Sequence, residues 1–170
     1  MNLGFPGFQR EGSSLLEKIT SVLVTSPVSE ISINRRYDNY ESIILRILGR
    51  STTAGTTSTF VRLQFNGDTG NNYAFSRLNR FGSSNTAALS SLEIGDAPFA
   101  GNPAGRFHWL NLEILFPGDT LRRKNVLGTL QNMSDLTIQV ICGEWASLQP
   151  ITSMKLFLAS GNFDTNSQVD

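Results

Sequence analysis

Apolar and polar residues alternate with a period of two over several stretches of this chain, the spacing that sends successive side chains to opposite faces of a β-strand. In the clearest stretch, 107–116, His108, Leu110, Leu112, Ile114 and Phe116 share one face, and Trp109, Asn111, Glu113 and Leu115 share the other. Segment 41–48 sets Ile43, Leu45 and Ile47 on one side, and 60–66 separates Val61, Leu63 and Phe65 from Arg62, Gln64 and Asn66. The last of these predicts one buried and one wet face. Further strands are predicted over 15–24, 28–33, 88–94, 122–129, 136–142 and 152–159. Turn formers punctuate them: Ser26-Pro27, the Thr/Ser/Gly stretch 51–58, Asn66-Gly67 and Pro117-Gly118-Asp119. Asn66-Gly67 is the strongest of these, because both residues tolerate the positive φ of a type I′ turn and so predict a hairpin. No segment sustains a period of 3.6, so only short helical turns are expected.

About eight strands without strand–helix alternation predict an all-β fold of two antiparallel sheets, a jelly-roll-like sandwich, with a single-sheet barrel as the open alternative. The sandwich is assigned to 15–170. Residues 1–14 carry Gly4, Pro6, Gly7 and Gly12 among Leu3, Phe5 and Phe8. That mixture suits an extended N-terminal arm better than a helix or central strand. Leu3, Phe5 and Phe8 are candidate inter-subunit contacts on a neighbouring subunit, with packing on the chain's own domain or disorder as alternatives.

With 170 residues the chain is long enough to bury a core without staples. Charge is balanced at 14 basic against 14 acidic residues, with 16% charged overall, which argues against a nucleic-acid partner. No apolar run reaches the about 20 residues that span a bilayer, and residues 1–6 lack the basic and apolar regions of a signal peptide, so no membrane partner is expected. The single cysteine, Cys142, lies in an apolar strand pattern and is expected to be a buried, inert thiol.

Candidate chemistry is sparse. The one histidine, His108, shares parity with Leu110 and Leu112 and reads as a core or sheet-edge residue; no nucleophile elbow or Cys–His pairing accompanies it. Glu93 with Asp96 and Glu113 with Asp119 are nominal carboxylate pairs that nothing places in a cleft, so no enzyme activity, cofactor or metal is expected. The cluster Asn66, Asp68, Asn71, Asn72 and Tyr73 has two readings. Its oxygens suit calcium or sugar hydroxyls, with Tyr73 stacking on a pyranose, or its Asx residues only build turns. Arg35, Arg36, Arg50, Arg122 and Arg123 form local basic spots suited to acidic patches on a partner, or else are simply solvated. Trp109 lies opposite a full apolar face, beside polar Asn111 and Glu113, and reads equally as an interface or ligand platform or as core.

The stretch Phe65-Asn66-Gly67-Asp68-Thr69-Gly70-Asn71-Asn72-Tyr73 and the closing segment 146–163, with Ile151-Thr152-Ser153-Met154 and Gly161-Asn162-Phe163, resemble a widespread family of tailed-bacteriophage virion proteins. The resemblance runs from about residue 15 to the C-terminus; the first 14 residues have no counterpart. It implies a jelly-roll structural module, located in the virion after synthesis in the host cytoplasm. Its role would be capsid decoration or cement, working as a homo-oligomer on other virion proteins such as the major capsid protein. The alternative it implies is a tail fibre or baseplate module that recognises a host-surface glycan, or otherwise contacts tail components. Family chains run on from the Gly-Asn-Phe segment into a last strand ending Leu-Tyr-Gly, whereas this one stops at Asn166-Ser167-Gln168-Val169-Asp170, which leaves the final strand pairing open.

Overall fold

A computed structural model of the chain describes residues 17–79, 82–133 and 136–170; the predicted arm, with Leu3, Phe5 and Phe8, lies outside the described residues. Among the described residues there is no helix. Twelve strands are present: β1 (Val22–Leu23), β2 (Glu30–Asn34), β3 (Ser42–Gly49), β4 (Ser58–Phe65), β5 (Tyr73–Asn79), β6 (Gly82–Leu89), β7 (Leu92–Pro98), β8 (His108–Leu115), β9 (Lys124–Asn132), β10 (Thr137–Trp145), β11 (Ser153–Leu158) and β12 (Gln168–Val169). They build an eight-stranded sheet in the order β1-β12-β3-β8-β9-β10-β5-β6 and a four-stranded sheet in the order β2-β11-β4-β7. Every pairing is antiparallel.

The chain alternates between the layers: β2, β4, β7 and β11 lie in the small sheet, while β3, β5, β8 and β12 return to the large one. This is a jelly-roll-like sandwich in which the β9–β10 hairpin is inserted between β8 and β5. Period-two alternation supplies its core. Ile43, Leu45 and Ile47 of β3 and Leu110, Leu112 and Ile114 of β8 meet Val61, Leu63 and Phe65 of β4 and Met154 and Leu156 of β11 in one buried cluster. Gly128 of β9 allows the tightest approach within the large sheet, because a Cβ there would lie 2.3 Å from Leu112 Cδ2 and 2.9 Å from the Asn111 carbonyl oxygen.

Several expectations need correction. Asn66 and Gly67 have the positive φ values of a type I′ turn, 53° and 66°, and the Asp68 N–H donates to Phe65 O at 2.9 Å. Yet β4 and β5 are not a hairpin. Both edges of β4 are taken, by β11 and β7, so the chain turns at 66–67 and crosses to the other sheet. Nor is the outer side of β4 simply wet: Gln64 is buried, its Nε2 donating to Ser90 O at 2.7 Å. Of the predicted strand 15–24, the described residues, 17–24, are strand only at β1. The predicted strand 88–94 is two strands, β6 and β7, of which β6 has no apolar alternation to announce it. The final strand pairing is made by β12, where Val169 lies between Val22 and Ile47.

Candidate functional site

The loop joining β4 to β5 uses its polar atoms on the protein itself. Asn66 Oδ1 accepts from Thr152 N–H (2.8 Å), Ser153 N–H (3.1 Å) and Thr152 Oγ1 (3.1 Å), while Nδ2 donates to Pro150 O at 2.8 Å. The Asp68 carboxylate accepts from Gly70 N–H (2.8 Å), Asn72 Nδ2 (2.9 Å) and the indole Nε1 of Trp145 (2.7 Å). These donors, the Trp145 indole foremost, hold Asp68 below the usual carboxylate range. Tyr73 is 1% exposed. Its hydroxyl accepts from Phe65 N–H (3.0 Å) and donates toward Phe65 O and Asp68 O, and burial pushes its pKa up to about 12.

Phe65, Tyr73 and Trp145 close this end of the sandwich as an aromatic cluster with centroids 5.4 to 6.4 Å apart. The ligand reading of Asn66, Asp68 and Tyr73 is therefore corrected: their oxygens are occupied and the ring cannot stack on a sugar. Asn71 and Asn72 are exposed, with Asn72 braced on Asp68. Among the described residues no group of three or more His, Cys, Asp or Glu side chains is placed to hold a metal ion.

The basic spots also separate on inspection. Arg50, expected as a basic contact for a partner, lies at the end of the large sheet opposite this loop, next to Gly49 and its neighbour His108. It is 7% exposed, and its guanidinium donates to the carbonyls of Ala100, Asn102, Pro103 and Arg106 at 2.7 to 3.1 Å, with Asp164 3.4 Å from Nε. Arginine's five donors in a planar fork make such multiple capture possible. Lys124 is fully buried, its ammonium against the Asp119 and Arg122 carbonyls, and burial lowers its pKa. The remaining four are at the surface, each with a neighbour in this chain. Arg35 donates to Ile19 O, Arg36 pairs with Asp38, Arg122 pairs with Asp119 and lies 3.8 Å over the Phe116 ring, and Arg123 pairs with Glu144.

What stays uncovered is apolar. On β10 the parity is the reverse of that expected for Cys142: Gln139 and Ile141 face the core, whereas Ile138, Val140 and Cys142 face out. Cys142 is exposed, not buried. Gln139 is tolerated inside because Asp96 accepts from its Nε2 at 3.0 Å; Arg77 lies 3.8 Å from the same carboxylate, and the Asp96 carbonyl meets His108 Nδ1 at 3.0 Å.

The cross-strand registers assemble the outer face. Leu78 of β5 lies beside Val140, which lies beside Thr129 and, beyond it, Asn111. Leu127 lies beside Cys142, and Ile138 is separated from Trp109 by Gln131. Ile138 is 66% exposed, Leu78 57%, Leu127 52%, Val140 44% and Trp109 39%. A shallow groove of about 540 Å³ adjoins them, between Ala74, Ser76, Asn85, Cys142 and Glu144. An apolar stripe of this kind, edged by Asn111, Thr129, Gln131 and Ser76, has the composition of an interface core with a polar rim. Sequence parity points to Trp109 alone; the apolar run holding Ile138 and Val140 predicts burial for Cys142 because nothing local marks which of its faces turns inward.

No protein-family model, no curated protein and no solved structure matches the chain.

Proposed function

We propose that this protein is a non-enzymatic structural component of a phage virion, a decoration or cement protein that holds to other virion proteins by the outer face of its eight-stranded sheet. The observation that carries the proposal is the outward row Ile138, Val140 and Cys142, flanked by Leu78 and Leu127, on a sheet whose other face already fills a complete core. Covering apolar surface is the main driving force of association, and many copies on a lattice turn a modest contact into firm retention. The resemblance to virion proteins supplies the biological setting.

Cys142 gives a direct test, since it is the sole cysteine and sits in the stripe. A maleimide reagent should label it readily in the isolated protein and poorly in the assembled particle, and particles lacking the protein should disassemble at lower temperature. Equal labelling in both states would refute docking through this face. The rival function, a tail-borne module for a host glycan, is favoured by one observation: Trp109 is half-open between Leu48 and polar Gln131. Saturable glycan binding abolished by Trp109→Ala, with unchanged particle stability, would establish it instead.

A further inference from the structure

We infer that β6 is an open sheet edge that pairs antiparallel with β6 of a second copy, joining two eight-stranded sheets edge to edge. An edge strand presents a row of unpaired N–H and C=O groups, and folded proteins blunt such edges with charge, proline, bulges or brevity. Three of the four edges here are blunted. β1 has two residues. β2 opens on Glu30, which faces Lys155, and runs into Arg35 and Arg36. β7 ends in Pro98, is irregular opposite Val61 and Arg62, and carries Glu93 and Asp96 paired to Arg62 and Arg77.

β6 lacks charge, proline and brevity, and its one irregularity lies at its far end, between Thr86 and Leu89, where Ala88 has a φ of 57°, which leaves Gly82–Thr86 a regular open edge. Its eight residues, Gly-Ser-Ser-Asn-Thr-Ala-Ala-Leu, contain no charge and no proline, and all but the last are exposed. Its ladder is with β5 alone. A strand that packs only its last side chain, Leu89, against the core and holds one ladder gains little for its ordering, and a second ladder completes it. Antiparallel pairs alternate between hydrogen-bonded and non-bonded positions, so every second residue of β6 aims its backbone groups away from β5.

The second copy is the occupant because the strand complements itself. A two-fold axis through β6 sets Ser, Asn, Thr and Ala against one another, with no like charges and no bulky side chains to clash. That axis stands perpendicular to the sheet, so the outer faces of both copies point the same way. If the reading of that face as the virion contact holds, the dimer offers two apolar stripes to one lattice.

Sedimentation velocity of the full chain under reducing conditions tests the inference. The wild type should show a concentration-dependent dimer. Asn85→Lys and Thr86→Lys should each raise its dissociation constant about tenfold or more, since symmetry enters every change twice. Thermal unfolding checks that the variants fold. As a measurement needing no variant, hydrogen exchange at β6 should slow as protein concentration rises. A monomer at all concentrations, or a dimer the two lysine variants leave intact, would overturn the inference. Dissociation by Ile138→Lys but not by Asn85→Lys would move the joint to the outer face, and Cys142 protection in particles would remain a separate question.

Discussion

The Asn66 to Tyr73 loop and the outer face of β10 are opposites in the way they use their residues. The loop is built from side chains that look made for a ligand, and its oxygens and amides are spent on Trp145, Thr152, Ser153 and one another. The face is built from side chains that look made for a core, and they stand in water. Asn and Asp clusters beside glycine are efficient at satisfying backbone groups where a chain leaves one sheet for another, and that task consumes their polarity. A surface that other molecules are to cover needs no such polarity, and its mark is apolar area left over once the core is complete.

That contrast predicts a graded set of effects. Trp145→Ala removes the ring that stacks on Tyr73 and packs tilted against Phe65, and should cost about 3–5 kcal/mol in urea unfolding, against about 0.5 kcal/mol or less for Trp109→Ala on the open face. Asp68→Ala strands the Trp145 indole N–H and the Gly70 amide and should cost about 1–3 kcal/mol by the same measurement.

The acid limb of stability draws on this loop and, separately, on the C-terminal residue Asp170. The folded state depresses Asp68, and it holds Asp170 at about 2 through Ser21, then Lys18 and Gln168. A depressed carboxylate contributes stability that is fully present above its unfolded value near pH 4 and is lost as pH falls through the folded value. Unfolding free energy should therefore drop between about pH 4 and pH 2, and Asp68→Asn with Asp170→Asn should flatten that drop. Smallest of all, Ile138→Ser with Val140→Ser should leave stability within about 0.5 kcal/mol while loosening attachment to particles in a co-sedimentation assay. A large loss of stability in that pair would place those residues in the core and erase the contrast.

The sandwich was legible where alternation was strict: 107–116 became β8, 41–48 became β3 and 152–159 became β11, each within about two residues. The positive φ of Asn66 and Gly67 was legible too, since few other residues accept it. The sheet to which β5 belongs was not, because a turn fixes local direction while the partner depends on which distant edges are free. β6 escaped notice for want of apolar alternation, its only large apolar side chain being Leu89 at its end, so that its ladder with β5 specifies it. Cys142 was misassigned because Ile138, Val140 and Ile141 are all apolar, so only Gln139, drawn inward by Asp96, reveals the parity. Arg50 looked like surface charge because the four carbonyls that hold it come from a segment about fifty residues away.

That anchoring makes Arg50 a hidden gauge. Trypsin needs the arginine side chain free and the backbone extended, and here the guanidinium is tied to the 100–106 segment while the following residue, Ser51, is wholly buried. Cleavage after Arg50 must wait for that segment to lift away, so the rate of nicking there, at low protease, counts how often this corner of the sandwich comes undone while the rest stays shut.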